Sequence, residues 1–582
     1  MRKTKIICTI GPASEDLDII MQMMEAGMNV ARLNFSHGTH EEHRQRINKL
    51  RYAGQQRRSP LAIMLDTRGP EIRTGLLENK KVQLKSGQQF NLTNRSIKGD
   101  ESQVEINYAN LPREVHKDNI ILLADGLISL LVKETTDTDI ICRVMNGGEL
   151  GERKGVNVPG VRIELPFMSD KDREDILFGI EMEVDFIAAS FVRSAEDVIE
   201  IKRILEQKHA DIDVIAKIES QEGVNNLEDI IQIADGIMVA RGDLGVEIAA
   251  EEVPLIQKEI LKKCSKVGKP AIIATQMLDS MIVNPRPTRA EVSDVANGIF
   301  DGSDAIMLSG ETAAGKYPVE VVETMARVAY RAEQSLNYGE ILRQKSRYTN
   351  LSVTDAISYA TCATAANLGA SKIITATQTG QTARMIAKYR PQTDIIATTT
   401  DKRVMNKLSL LWGVQPILIP ETIGTDELFE ESIRCAMETG LINNGELVVL
   451  TAGIPTGRAG ATSLMKVHIV GEILVQGMGI GSGVASGIVR IIRDESDLIR
   501  IEPGDIVAIG DANSSLAPYL KRIAALVAEA GGLTSDAAIM GLNARIPVIV
   551  GAVNATHLLE EGMLVTVDAP RGRVYKGLAR AL

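Results

Sequence analysis

The strongest constraint on this chain is a repeat. Across roughly its first 340 residues, eight short runs rich in Val, Ile, Leu and Ala alternate with helix-length amphipathic segments. The runs are KIICTI (5–10), NVARLNF (29–35), LAIMLD (61–66), VDFIAAS (184–190), DVIAKIE (213–219), GIMVAR (236–241), PAIIAT (270–275) and DAIMLS (304–309). Near-continuous apolar runs of this length read as strands buried on both faces, and strand–helix alternation reads as a parallel sheet. Eight units in one block predict a closed (β/α)8 barrel, with an open doubly wound sheet as the alternative.

The repeat is interrupted once. Between the third and fourth runs lie segments such as KKVQLKSGQQFNL and DIICRVMNGGELGERKG, short alternating strands broken by Gly, Asn and Asp. They predict a small β-rich domain, and its place after a strand end, over the barrel mouth, suits a lid. From residue 341 a new αβα layer begins, and from about 472 a further segment opens with the glycine-rich EILVQGMGIGSGVASGIV. That run does not complete G-x-G-x-x-G and reads as a domain-entry loop. The resulting division is 1–69 and 169–340 for the barrel, 70–168 for the lid, 341–472 for an αβα domain and 473–582 for a terminal β/α domain. A chain of 582 residues is too long for one core, so several domains are expected on size alone.

Composition removes several classes of function. A net charge of −11 and 44% hydrophobic residues fit neither a disordered chain nor a nucleic-acid-binding surface. The five cysteines (Cys8, Cys142, Cys264, Cys362, Cys435) are far apart, without zinc-ligand spacing or a disulfide framework, which suits a reducing cytoplasm. The N-terminal apolar run is too short for a signal peptide, and no stretch approaches the roughly 18 apolar residues of a membrane span, so no membrane partner is expected.

In a barrel of this kind the active site is built from the C-terminal ends of the strands. Polar residues gather there. Arg32, Asn34 and Ser36 end the second run, Asp66 and Thr67 the third, and Lys217 and Glu219 the fifth. Asp243 follows the sixth, Thr275 ends the seventh, and Ser309 with Glu311 ends the eighth. The i, i+2 spacing puts Lys217 and Glu219 on one face of their strand. Two carboxylates, Glu219 and Asp243, without cysteine or paired histidine suit a hard cation such as Mg²⁺ or Mn²⁺. Arg32, Arg73 and Lys217 beside it suit an anionic, phosphorylated substrate. No G-x-x-x-x-G-K-[ST] loop occurs. The residues alone therefore lead to metal-assisted chemistry on a phosphorylated acid.

The segments TKIICTIGPAS (4–14), ARLNFSHG (31–38), LDTRGPEIRTG (65–75), AKIESQEGVNN (216–226), IMVARGDLGVEI (237–248), ATQMLDSMI (274–282) and NPRPTRAEVSDVANGIFDGSDAIMLSGETAAGKYP (284–318) closely resemble the signatures of the pyruvate kinase family. The resemblance runs from residue 1 to about 470. It implies a cytoplasmic glycolytic enzyme, commonly a homotetramer, that transfers the phosphoryl group of phosphoenolpyruvate to ADP. It also implies Mg²⁺ or Mn²⁺ on Glu219 and Asp243, with the substrate carboxylate at the N–H groups of Ala240, Arg241, Gly242 and Asp243, beside Thr275. Lys217 then lies on the path of the phosphoryl group, with Arg73 assisting, and a proton reaches the enolate through Thr275 and a water near Ser309 and Glu311. Arg32 and His37 match nucleotide contacts. Ser194 stands where animal members carry a basic residue, so that ADP contact is not expected. Asn34, Ser36, Asp66 and Thr67 match the family's K⁺ ligands, and a carboxylate at Glu71 goes with K⁺ dependence.

Beyond the barrel, the loop Thr377, Gln378, Thr379, Gly380, Gln381, Thr382 resembles the family's phosphate-binding effector loop. The later loop at 453–462 lacks the tryptophan of fructose-bisphosphate sites, which favours a monophosphate such as AMP or ribose 5-phosphate. The segment at 529–551 resembles the phosphohistidine domain of phosphoenolpyruvate-utilising enzymes, but Asp536 replaces the histidine, so no carrier chemistry is expected. Two other classes share this equipment: an aldolase or carboligase acting on pyruvate enolate, and a silent sugar-phosphate-binding paralogue.

Overall fold

The structure is a computed structural model that describes residues 1–346, 352–453, 462–471 and 473–578. It divides into two compact units, Met1–Tyr348 with Lys402–Pro416, and Thr349–Asp401 with Ile417–Leu582.

The eight runs form a closed parallel barrel. Its strands are Lys5–Thr9, Val30–Asn34, Ala62–Asp66, Phe186–Ala189, Asp213–Ile218, Gly236–Ala240, Ala271–Ala274 and Ala305–Leu308, and the eighth pairs with the first. Alternate residues serve two cores. Ile7, Val30, Met64, Phe186, Ile215, Met238, Ile272 and Met307 fill the interior. Their neighbours Ile6, Cys8, Leu33, Ile63, Leu65, Ile187, Val239 and Ile273 face outward into the surrounding helices. Both faces being buried is why the sequence shows apolar runs instead of alternation. The helices start where the sequence supplies capping boxes, as at Thr39 with Glu42, Ser169 with Asp172 and Thr288 with Glu291.

The bottom of the barrel carries a regular seam. The residue immediately before each even-numbered strand accepts a hydrogen bond from the backbone N–H at the start of the preceding odd-numbered one. Asn29 takes that of Ile6 (3.0 Å), Asp185 that of Ile63 (2.7 Å), Asp235 that of Val214 (2.9 Å) and Asp304 that of Ala271 (3.0 Å). Residues 402–416, far along the chain, close this end. Leu410 is fully buried in the interior core, Asn406 donates to Asp185 (3.1 Å), and Lys407 pairs with Asp211 and Asp213 (2.7 and 2.8 Å).

The lid segment builds a six-stranded sheet, with Ile128–Thr135 and Asp139–Asn146 at its centre, and a two-stranded sheet from Lys81–Leu84 and Gly148–Gly151. Its core is separate from the barrel's. Side-chain hydrogen bonds help tie it down. Arg193, just beyond the fourth strand, donates to the carbonyls of Ile163 and Leu165 (2.9 and 2.8 Å), and Asn157 donates to Glu247 (3.0 Å).

In the second unit, Asp394–Thr399, Lys372–Ala376 and Leu447–Gly453 run parallel, with Thr462–Ile469 antiparallel at one edge. A separate eight-stranded sheet takes in the chain from Ile473–Gln476 to Arg573–Lys576, which pair with each other. All five cysteines are buried free thiols. Among the described residues, no helix is long and apolar enough to cross a membrane.

Candidate active site

The strand ends converge on a line of alternating charges. Arg32 donates through Nε to Asp66 Oδ2 (2.6 Å), Lys217 Nζ reaches Asp66 Oδ1 (3.1 Å), and the same Nζ lies 3.1 Å from Glu219 Oε1. The i, i+2 spacing therefore does bring Lys217 and Glu219 together. All four side chains are at least nine-tenths buried, and the pairing explains how burial is tolerated. Burial alone would raise the Asp66 carboxyl, yet the Arg32 and Lys217 cations beside it hold it below the usual carboxylate range. Burial likewise works against the Lys217 ammonium, but Asp66 and Glu219 keep it above an ordinary lysine. Glu219 goes the other way: burial pushes it up to about 7, and the charge of Asp243 adds to the rise despite Lys217 and the Phe191 N–H. That N–H donates to Glu219 Oε2 (2.6 Å) from a residue in left-handed backbone.

Two elements bring Asp243 and Thr275 to this end. The short helix Arg241–Glu247 starts directly off the sixth strand and carries Asp243 in its first turn. Thr275 has φ +69°, a conformation that costs a β-branched residue free energy and persists only where its surroundings enforce it. The enforcement is visible. Arg241 grips Asp294 with both Nη atoms (2.7 Å each) and donates to the Thr275 carbonyl (3.0 Å). The Thr275 hydroxyl accepts the Gly242 N–H (2.7 Å), so one N–H of this helix start is already engaged within the chain.

Ser309 and Glu311 meet beyond the eighth strand. Glu311 is buried, raised by that burial, and accepts the N–H groups of Ser309 (2.7 Å) and Leu278 (3.2 Å). The Ser309 hydroxyl is buried and, among the described residues, has no hydrogen-bond partner.

The remaining expected residues lie further out. Asn34 accepts the Ser36 N–H (3.1 Å) in a tight turn after the second strand, and His37 is exposed, its carbonyl 2.9 Å from His43 Nε2. Arg73 lies on the lid, where its guanidinium embraces Glu71 at 2.6 and 2.5 Å. Ser194 opens the helix Ala195–Gln207, its N–H donating to Asp197 (3.0 Å). A cavity of about 370 Å³ between lid and barrel is lined by residues from both, among them Glu71, Asn157, Arg193, Asp243 and Glu247.

Sequence reasoning missed two hydroxyls. Ser190, at the end of the fourth strand, accepts from Lys217 Nζ (2.6 Å), and Thr9, at the end of the first, accepts from Arg32 Nη1 (2.9 Å). Both lie at or next to the end of runs recognised as strands, so their position was the available signal.

In the second unit the candidate effector loop joins Lys372–Ala376 to the helix Gln381–Lys388, with Gly380 in left-handed backbone (φ +82°) as its cap. Gln378 and Thr379 are exposed, while Thr377 and Thr382 are buried, and Thr382 accepts from the Thr462 hydroxyl (3.1 Å). Of the loop at 453–462, residues 454–461 lie outside the described residues. Asp536 is exposed in the first turn of the helix Asp536–Ala544.

The donors fit the cations expected from the sequence. Two carboxylates with hydroxyl and carbonyl oxygens, and neither thiolate nor imidazole, match Mg²⁺ or Mn²⁺, and the raised Glu219 is a buried carboxyl that a nearby cation would ionise. Among the described residues no cluster of three or more His, Cys, Asp and Glu could hold a metal alone. Asp66 accepts hydrogen bonds from Arg32 Nε and Lys217 Nζ, with Ser190 Oγ 3.2 Å from Oδ1, and a carboxylate has about four acceptor sites, so acceptor capacity on Asp66 remains for a monovalent ion.

Comparison with known proteins covers nearly the whole chain. Residues 1–322 match the family model described as pyruvate kinase, barrel domain, and 355–468 match pyruvate kinase, alpha/beta domain. Residues 501–572 match PEP-utilising enzyme, mobile domain. Proteins described as pyruvate kinase from Geobacillus stearothermophilus and Bacillus licheniformis are each 51% identical to this chain, and one from Staphylococcus aureus 46%, over the full length of both chains. A crystal structure of a pyruvate kinase from Cryptosporidium parvum superposes with a TM-score of 0.76 at 41% identity, covering 80% of this chain and 96% of that one.

Proposed function

The chain belongs to the pyruvate kinase family of phosphotransferases, and on that premise we propose that it transfers the phosphoryl group of phosphoenolpyruvate to ADP, giving pyruvate and ATP in the cytoplasm. The observation that supports this most directly is the buried line Arg32–Asp66–Lys217–Glu219 opening towards Asp243 at the barrel mouth. Phosphoryl transfer asks for positioned charge more than for covalent help. A cation held by Glu219 and Asp243 would supply Lewis-acid charge to a phosphorylated acid. Lys217 neutralises the moving phosphoryl group, held in place by two carboxylates, with Arg73 arriving from the lid. Thr275, fixed by Arg241, and a water near Ser309 and Glu311 relay the proton to the enolate. Arg32 and His37 take the nucleotide side, and Asn34, Ser36, Asp66 and Thr67 take K⁺.

In this reading 1–69 and 169–340 are the barrel, 70–168 the lid, 341–472 the regulatory domain and 473–582 an added packing module, in a homotetramer. The loop 377–382 takes the phosphate of a nucleoside or sugar monophosphate, with AMP or ribose 5-phosphate favoured. Mixing the protein with phosphoenolpyruvate, ADP, Mg²⁺ and K⁺ tests the core of the proposal. ATP should appear, and its absence would leave pyruvate-enolate chemistry as the alternative. Activation by fructose 1,6-bisphosphate alone would overturn the effector assignment.

A further inference from the structure

An ammonium group has three hydrogens and no acceptor. At Lys217 two of them have hydrogen-bond acceptors within the chain, Asp66 Oδ1 (3.1 Å) and Ser190 Oγ (2.6 Å), and Nζ also pairs with Glu219 Oε1 at 3.1 Å. Ser190 is the one uncharged leg of this tripod and the shortest. Its own geometry is fixed from the other side. The Ser190 N–H donates to Thr67 Oγ1 (3.1 Å), and its hydroxyl hydrogen goes to the Thr67 carbonyl (2.7 Å), which turns the lone pairs of Oγ towards Lys217. Asp66 Oδ1, at 3.2 Å, is the more distant acceptor for that hydrogen. The residue is 2% exposed, so water does not compete for the site. Gly69 leaves it room: it holds φ +75°, and a Cβ there would come within 2.8 Å of the Ser190 Cβ.

We propose that Ser190 is a positioning residue for phosphoryl transfer, whose hydroxyl oxygen fixes the Lys217 ammonium on its four-carbon stem at the point the phosphoryl group must pass. Two carboxylates alone fix Nζ along the line between them and leave it free to swing about that line. The third, neutral acceptor removes this freedom without adding charge that would repel a phosphate. Backbone placement at 190 rests on the N–H bond to Thr67, which an alanine keeps.

The inference rests on the reading of Lys217 as the group that stabilises the transferring phosphoryl, and the experiment separates the two. Ser190→Ala, Ser190→Cys and Lys217→Met are each assayed for ATP formation and for detritiation of labelled pyruvate, which needs the metal and the proton relay but no phosphoryl transfer. Loss of a hydrogen bond to a charged group corresponds to roughly 10- to 100-fold in rate. Ser190→Ala should therefore lower kcat for ATP formation by about that factor, with KM for phosphoenolpyruvate and the detritiation rate nearly unchanged. Ser190→Cys, of similar reach but a weaker acceptor, should fall between alanine and the parent. If Lys217→Met loses only ATP formation while Ser190→Ala loses neither activity, or both equally, Ser190 is structural and the inference is overturned. If Lys217→Met itself loses both activities equally, the reading of Lys217 fails and the inference fails with it.

Discussion

Replacing Glu219 by glutamine should make the metal-free protein more stable above neutral pH while destroying its catalysis. The folded structure pushes this carboxyl up to about 7 from an ordinary 4.5, mainly by burial and also by Asp243. An unfolded chain would ionise it near the ordinary value. Between those two pH values the folded state holds one proton more than the unfolded state, so stability falls as pH rises, by about 1.4 kcal/mol per unit, and levels off above 7. The full span amounts to roughly 3 kcal/mol. Glu219→Gln removes that term. Near pH 4.5 the neutral acid and the amide should be equivalent, and by pH 8 the variant should be ahead by up to about 3 kcal/mol, an upper bound because Lys217 loses one of its two carboxylate partners. Chemical denaturation of both proteins in a chelating buffer, from pH 4.5 to 8.5, measures the difference directly. Adding Mg²⁺ or Mn²⁺ should reverse the order by stabilising only the parent, since a ligand stabilises the state that binds it. A parent and variant whose stabilities ran parallel across the whole range would refute the argument that burial of this carboxyl is compensated by a cation.

Four further outcomes are expected. Glu71→Lys, at a residue now held by Arg73 and Arg68, should reduce the requirement for K⁺, and a parent enzyme equally active in K⁺ and in a tetraalkylammonium buffer would contradict this. Leu410→Ala should cost about 2–5 kcal/mol in chemical denaturation by opening a cavity in the barrel interior, with KM for phosphoenolpyruvate unaffected; a loss below about 1 kcal/mol would mean that the site collapses around it. Ending the chain at Val470, which takes the strand Ile473–Gln476 away together with its partner Arg573–Lys576, should leave substantial kinase activity and reduce heat stability or effector response first. Asp536→Asn should turn over like the parent, and labelling of Asp536 by phosphoenolpyruvate would defeat the view of this domain as a packing module.

The strands of the barrel were legible because each needs apolar side chains on both faces, and few other elements produce such runs. Charged strand-end residues were equally plain: Lys217, Glu219 and Asp66 are expensive to bury, and their occurrence at strand ends signals a site. Ser190 and Thr9 escaped notice because hydroxyls at strand ends are cheap and common. The Phe191 N–H on Glu219 has no side-chain signature at all. Leu410 was hidden for a different reason, since an apolar residue in an amphipathic stretch gives no sign that it fills a barrel whose strands lie hundreds of residues earlier. The left-handed backbone of Thr275 runs against local preference and follows only from the grip of Arg241.

The seam at the bottom of the barrel also implies an order of assembly. Its clips at Asn29, Asp235 and Asp304 join groups 23, 21 and 33 residues apart, whereas the clip from Asp185 to Ile63 spans 122, because the lid segment intervenes. Closing the longer loop costs only about 1 kcal/mol more in chain entropy, but the search for a distant partner slows its formation. Three strand pairs can therefore zip early from contacts close in sequence, while the pair of third and fourth strands waits until the intervening hundred residues have become compact. Among these four clipped joints the last to close is then the one whose upper ends carry Asp66 and Ser190, and a nascent chain acquires the surroundings of Lys217 only after its lid has folded.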